Sequence, residues 1–67
     1  MINPLLEPAK AFSISTIAKQ LGVCNDTAYK IIKYPWKHKF IDIVILCDML
    51  QVDMQLVWDY CKYKIEE

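Results

Sequence analysis

The hydrophobic residues of this chain recur at spacings of three and four, which is typical of helices with one buried face. The segment with the clearest repeat has its apolar positions at Ile14, Ile17, Ala18 and Leu21. Ser13 has the hydroxyl that suits a helix N-cap, and Gly22 readily adopts the positive φ that often follows a helix end. The pattern therefore predicts a helix over residues 14–21.

A second helix is predicted to begin at Cys24 or Asn25, after a tight turn, and to run to about Lys33. Its inward residues are Ala28, Ile31 and Ile32. Its outward residues are Asn25, Asp26, Tyr29, Lys30 and Lys33. Tyr34 should end the helix, because a residue before proline is pushed out of the helical region. Two helices of this length around such a turn form the helix-turn-helix arrangement.

A short and irregular helix is predicted at the N-terminus. Asn3 is a candidate cap, and Pro4 suits the first helical position. Pro8 lies too deep to be accommodated freely, so we expect a kink or a restart after Glu7. The expected inward residues are Leu5, Leu6, Ala9 and Phe12.

The segment from 37 to 50 is ambiguous by composition. The run FIDIVIL is rich in β-branched residues, which favours a strand. Apolar residues nevertheless continue at helical spacing, at Phe40, Ile43, Leu46, Cys47 and Leu50. We therefore predict a helix here, a short turn at QVD, and a last helix that begins after the cap Asp53 and runs from Met54 to about Ile65. The expected inward residues of the last helix are Met54, Val57, Trp58 and Cys61.

Length and composition limit the class of protein. The 67 residues, 55% of them hydrophobic, are expected to form a single domain over residues 1–67. The longest apolar run is too short to span a bilayer and is interrupted by Asp42. The N-terminus lacks the basic start and apolar stretch of a secretion signal, so a cytoplasmic location is expected.

The cysteines and the single histidine give no catalytic or metal-binding pattern. Cys24, Cys47 and Cys61 are odd in number, form no CxxC pair and are accompanied only by His38. No flanking signature supports a Cys/His catalytic pair. We expect no enzyme, no metal and no cofactor, and interpret the thiols as small hydrophobic groups.

The net charge of zero conceals two oppositely charged halves. Residues 10–39 contain six lysines and one aspartate, a net charge of +5, whereas residues 40–67 contain two lysines and six acidic residues, a net charge of −4. A basic half of this kind can contact phosphates although the whole molecule is neutral.

The stretch IAKQLGVCNDTAYKII resembles the helix-turn-helix of the Cro/Xre-type repressor family of phages and bacteria. LCDMLQVDMQLVW resembles the fourth and fifth helices of that family, and NPLLEPAKAF resembles the first helix of small phage Cro-like proteins. The resemblance covers roughly residues 13–58. It implies an all-α fold, a compact five-helix lambda-repressor-like DNA-binding domain that contains a helix-turn-helix.

The same resemblance implies a set of DNA contacts. The base-contacting positions fall on Asn25, Asp26 and Lys30. The positions for backbone contacts fall on Lys19, Thr27, Tyr29, Lys33, Lys37 and Lys39. Asparagine can pair with adenine, aspartate can accept from the cytosine amino group, and lysine can donate to guanine.

Three features depart from the family pattern. Cys24 lies where serine or threonine is usual as a helix cap. Asp26 brings a negative charge near phosphates, unless it pairs with a base amino group or with Lys30. Arginine is absent from the chain, so no base is contacted by a planar guanidinium.

The C-terminal half has more apolar surface than one small core can bury. Candidate residues for a dimer or partner interface are Ile41, Ile45, Met49, Leu56, Tyr60 and Tyr63. A twofold dimer would present two recognition helices about 34 Å apart, one turn of DNA. The first hypothesis is a homodimeric regulator that binds a palindromic operator in double-stranded DNA. The alternative is an interaction module that docks onto a repressor or RNA polymerase through this apolar, acidic half.

Overall fold

The computed structural model describes residues 1–67 and contains helices and turns without any strand. Five α-helices follow one another: α1 (Leu6–Ala9), α2 (Ile14–Leu21), α3 (Asn25–Lys33), α4 (Phe40–Leu50) and α5 (Met54–Glu66). A 3-10 turn, Pro35–Lys37, connects α3 to α4. The predicted all-α class is confirmed, and the ambiguous FIDIVIL segment is helical. No helix has both the length and the apolar character needed to cross a membrane.

The two helices predicted around Gly22 are confirmed, with α2 bounded as expected. The Ser13 hydroxyl accepts a hydrogen bond from the Thr16 N–H at 3.2 Å, which caps α2. Gly22 has a φ of 72°. The N–H groups of Gly22 and Val23 donate to the carbonyls of Lys19 and Ala18 at 3.3 and 3.0 Å. This pair of bonds is the Schellman arrangement, which reverses the chain and brings α3 against α2.

The turn between α4 and α5 repeats that arrangement without a glycine. Gln51 has a φ of 58° and is the one non-glycine residue with a positive φ. Its N–H and that of Val52 donate to the carbonyls of Asp48 and Cys47 at 3.4 and 3.0 Å. The two turns have matching sequences, Leu-Gly-Val and Leu-Gln-Val, which is the signal that could have identified this conformation.

The N-terminal segment differs from the prediction. Asn3 is not the cap of a helix that starts at Pro4, because α1 begins only at Leu6. Its side-chain amide instead donates to the carbonyls of Ile32 and Lys33 at 3.0 and 3.4 Å, and its side-chain oxygen accepts from the Leu5 N–H at 2.9 Å. Asn3 is buried and ties the N-terminus to the end of α3.

The core is formed by twelve apolar residues drawn from all parts of the chain. They are Leu5, Ile17, Ala18, Leu21, Ala28, Ile31, Ile32, Ile43, Leu46, Cys47, Leu50 and Val57. Leu6 and Phe12 were expected to face inward, but both are exposed, whereas Leu5, the residue before α1, is fully buried.

The predicted inward face of α5 is confirmed at Met54, Val57 and Cys61, which lie in the core or pack against it, but two aromatic residues of this helix differ from the prediction. Trp58 was expected to face inward, and Phe40 belongs to the apolar spacing that predicted α4, but both are about half exposed and pack on each other with ring centroids 5.4 Å apart. Tyr60 was expected to face outward, and that prediction is wrong: it is buried, with its ring 5.9 Å from that of Trp36. The contact with Trp36 therefore extends the buried face of α5 to Tyr60.

Candidate nucleic-acid interface

The residues predicted to contact bases lie on the exposed face of α3. Asn25, Asp26 and Lys30 are exposed, while Thr27 is half-buried. The opposite face is anchored by Ala28, Ile31 and Ile32, as the apolar stripe predicted. This buried stripe holds α3 against the core, so the polar face of α3 is a fixed surface exposed to solvent.

The start of α3 is held by side chains rather than by a cap to the backbone. Cys24 is the N-cap residue, but its side chain makes no capping hydrogen bond of normal geometry. Its sulfur lies 3.1 Å from the Thr27 hydroxyl oxygen, and this hydrogen bond lowers the pKa of the exposed Cys24 thiol. The Asn25 amide nitrogen donates to the Ser15 hydroxyl on α2 at 3.3 Å. The Asn25 side chain is thereby oriented, with its carbonyl oxygen still free to accept.

The charges on this face are largely unpaired within the chain. The structure contains two ion pairs, Glu7–Lys10 at 3.1 Å and Lys64–Glu67 at 3.4 Å. Asp26 does not pair with Lys30, although the two are one turn apart. The exposed lysines predicted to contact the DNA backbone are Lys19, Lys33, Lys37 and Lys39, and none has a carboxylate partner. Their ammonium groups are therefore available to an external anion.

Aromatic rings lie among the lysines at the end of α3. The Lys33 ammonium is 5.7 Å from the centroid of the Tyr29 ring and 5.5 Å from that of Tyr34. The Lys37 ammonium is 5.3 Å from the same Tyr34 ring. We call these four residues the tyrosine–lysine cluster. Sequence reasoning placed Tyr34 only as a helix terminator, although lysines at the preceding position and three positions later were a signal for this cluster.

The predicted C-terminal interface is only partly exposed. Ile41, Leu56 and Tyr63 are exposed. Ile45 and Met49 are half-buried and pack against the core, and Tyr60 is buried. These three residues therefore offer less surface to a partner than the sequence suggested.

Other apolar residues add to this C-terminal surface. Phe40, Trp58 and Ile65 are 59, 48 and 68% exposed and border one groove. Because an α-helix turns about 100° per residue, Trp58 and Ile65 lie on one flank of the buried stripe of α5, while Leu56 and Tyr63 lie on the opposite flank. The apolar surface is therefore split into two patches.

The remaining chemistry of the chain gives no second candidate site. No group of three or more His, Cys, Asp or Glu side chains is placed to hold a metal ion. Burial raises the pKa of the Cys47 and Cys61 thiols, which keeps them protonated. Comparisons with models of protein families, with curated proteins and with solved structures found no match to this chain. A function must therefore be inferred from the side chains themselves.

Proposed function

We propose that this chain is a sequence-specific regulator of transcription that binds double-stranded DNA through α3, in the manner of a Cro-like repressor. In this proposal α2, the Gly22 turn and α3 form a helix-turn-helix. The observation that carries the proposal is the exposed polar face of α3, with Lys30 and Lys33 on the helix itself and neither of them paired with a carboxylate.

The dimensions and chemistry of α3 support this assignment. An α-helix with its side chains is about 10–12 Å across, and the major groove of DNA is about 12 Å wide. Asn25 and Asp26 lie in the first turn of α3, and Lys30 follows one turn later. We assign base contacts to these three residues, with the Asp26 carboxylate accepting from a cytosine amino group because Lys30 does not neutralise it within the chain.

Backbone contacts would supply most of the affinity. The assigned residues are Lys19, Thr27, Tyr29, Lys33, Lys37 and Lys39. Each ammonium that neutralises a phosphate releases counterions, so the logarithm of the association constant should fall with the logarithm of the salt concentration by about 0.9 per contact.

We assign the exposed apolar C-terminal surface to a homodimer. A twofold dimer would place two copies of α3 about 34 Å apart, and the protein would then recognise a near-palindrome. Self-association also accounts for exposed aromatic residues on a chain of this size.

The test is a selection of bound sequences from a random duplex library, followed by titration of the selected duplex at several salt concentrations. Lys30→Ala should weaken binding about 5–100-fold, mainly for the selected sequence. Lys33→Ala should weaken binding to all duplexes and reduce the salt slope by about one. Lys10→Ala, which removes an exposed lysine assigned to neither the DNA contacts nor the dimer, is the matched control and should bind normally. Affinity that does not vary with salt would contradict the proposal.

A second candidate function is an interaction module that docks onto another protein. The exposed Phe40–Trp58 pair and the adjacent Ile65 favour it, since they form an apolar patch in the acidic half of the chain. Pull-down with and without nuclease, compared between wild type and Trp58→Ser, distinguishes the two functions. A nuclease-resistant complex with a single repressor or polymerase subunit, lost in Trp58→Ser and accompanied by no duplex binding, would favour this alternative.

A further inference from the structure

The tyrosine–lysine cluster brings two like charges to a single aromatic ring. The ammonium groups of Lys33 and Lys37 lie 5.5 and 5.3 Å from the centroid of the Tyr34 ring, so they are at most about 11 Å apart. A cation within about 6 Å of a ring centroid is attracted by the ring. Neither lysine has a carboxylate partner, so the charge at this corner of the molecule is uncompensated.

The position of the Tyr34 ring is set by a row of packed aromatic residues. Tyr34 meets Trp36 edge-on at 5.6 Å and 87°, and Trp36 meets the buried Tyr60 at 5.9 Å. The Lys37 N–H donates to the Tyr34 carbonyl at 3.0 Å, which closes the 3-10 turn at the buried Pro35. Backbone and ring are therefore both fixed before any ligand arrives.

A purely structural role for the two lysines has little support at this helix end. Cations can stabilise the C-terminus of a helix by hydrogen bonding to its free carbonyls. Here the Asn3 amide already donates to the carbonyls of Ile32 and Lys33. Lys64 provides a contrast. Its ammonium group also lies over a ring, 5.4 Å from the centroid of Trp36, but it forms an ion pair with Glu67. Lys33 and Lys37 are distinguished by having aromatic contacts and no counter-ion.

We infer that Tyr34 is a positioning residue that holds Lys33 and Lys37 ready to bind the sugar-phosphate backbone of DNA beside the groove occupied by α3. This inference rests on the proposed DNA-binding function and adds a residue that sequence reasoning did not assign. The ammonium group has three donors, so a lysine over the ring keeps donors for phosphate oxygens. The ring reduces the rotamer freedom that two long side chains otherwise lose on binding.

The inference predicts a particular pattern of affinities for the full chain. Probes are the duplex obtained by selection and an unrelated duplex of the same length. Tyr34→Leu should weaken binding to both about three- to tenfold, because ordering costs are sequence-independent. Tyr34→Phe retains the ring and should bind as the wild type does. The double variant Lys33→Ala/Lys37→Ala should bind both duplexes more weakly and reduce the salt slope by about two.

The decisive comparison adds Tyr34→Leu to the double lysine variant. If Tyr34 acts through the two lysines, the added substitution should cause no further loss of affinity. A further three- to tenfold loss in that background would show that Tyr34 acts through the fold, and would overturn the inference. Equal binding by Tyr34→Leu and wild type would also overturn it while leaving the proposed function intact. A wild-type chain that binds no duplex would reject the proposed function and the inference together.

An independent measurement does not depend on the stability of any variant. Lys37 contacts only the Tyr34 ring, so the ε-methylene protons of Lys37 should show an upfield ring-current shift in the NMR spectrum of the wild type. Lys19, an exposed lysine of α2 with no cation–π contact, provides the reference in the free protein. The same shift should persist when the selected duplex is bound. Loss of the shift on binding would mean that the ring contact is broken to reach the phosphate, which would contradict the positioning role.

Discussion

Gln51 and Gly22 occupy equivalent positions, since each follows the last residue of a helix and adopts a positive φ. A residue with a Cβ is disfavoured in this region, whereas glycine adopts it at little cost. Gln51 has one local compensation, a hydrogen bond from its side-chain amide to the Asp48 carbonyl at 2.8 Å. That bond is exposed, so it offsets only part of the backbone strain.

A reciprocal pair of substitutions tests this strain. Gln51→Gly should raise the free energy of unfolding by about 0.5–1 kcal/mol, because it relieves the positive φ. Gly22→Gln should lower it by about 1–2 kcal/mol. A Cβ at Gly22 meets no heavy atom within 4 Å, so the loss would come from the backbone alone. Urea denaturation measures both values. A destabilised Gln51→Gly would mean that the side-chain hydrogen bond outweighs the strain.

Asn3 is a second residue at which a single substitution should strongly lower the free energy of unfolding. Asn3→Ala removes two donated bonds and one accepted bond at a buried site, so we expect a loss of about 2–3 kcal/mol in the free energy of unfolding. Asn3→Asp should lose at least as much, since its carboxylate would face the carbonyls of Ile32 and Lys33. Ile2→Ala, at an 85% exposed neighbour, is the control and should change stability little. Equal stability of Asn3→Ala and Ile2→Ala would contradict the assigned role.

The thiols should differ sharply in reactivity. Cys24 is exposed and its pKa is lowered by the Thr27 hydroxyl, whereas burial raises the pKa of Cys47 and Cys61. A lowered pKa increases the thiolate fraction at a given pH, and the thiolate is the reactive form. Iodoacetamide at neutral pH should therefore modify Cys24 first, as peptide mass spectrometry would detect. Thr27→Val should slow this reaction. Faster labelling of Cys47 in the folded protein would contradict the prediction.

At the scale of elements, α2 and α3 were predictable because their signals are local. Ser13, Gly22 and the residue before Pro35 mark the ends, and a single apolar stripe gives each helix its inward face. The same stripe correctly predicted that Asn25, Asp26 and Lys30 are exposed. Their proposed role in contacting DNA remains a prediction.

The buried faces of α4 and α5 were predicted correctly at their centres, where Ile43, Leu46 and Val57 lie in the core, but not at their margins. Both helices have apolar residues on several sides, so spacing alone does not determine how far each buried face extends. At these margins the outcome depends on contacts between distant segments, such as Tyr60 with Trp36 and Phe40 with Trp58. The hydrogen bonds of Asn3 to the end of α3 join residues about 30 positions apart, so no local sequence pattern could predict them.

At the scale of the whole molecule, the two proposed interactions fall on different parts of the chain. Lysines without a carboxylate partner lie on α3 and in the segments before and after it, and the exposed aromatic pair Phe40–Trp58 lies in the acidic half. DNA binding and self-association would then use separate surfaces, so a substitution in one should leave the intrinsic properties of the other intact.

Two matched substitutions identify the patch used for self-association. We expect Trp58→Lys to shift the sedimentation equilibrium from dimer towards monomer, because it places a charge in the groove beside Phe40 and Ile65. Leu56→Lys alters a residue of similar exposure on the opposite flank and should leave the dimer intact. The reverse result would assign the interface to the flank of Leu56 and Tyr63. A wild-type chain that is monomeric at all concentrations, with and without DNA, would exclude the homodimer.

The unequal ends of α2 and α4 also bear on how the fold opens. The N–H groups of Val23 and Val52 each make a hydrogen bond of 3.0 Å to the preceding helix. Only the turn between α4 and α5 has a strained residue, Gln51, at the positive φ. Local unfolding should therefore begin at residues 50–53 and separate α5 from the core, while the turn at Gly22 keeps its hydrogen bonds. Amide hydrogens around Val52 would then exchange with solvent sooner than those around Val23, and any surface built on α5 would be the first that the molecule loses on warming.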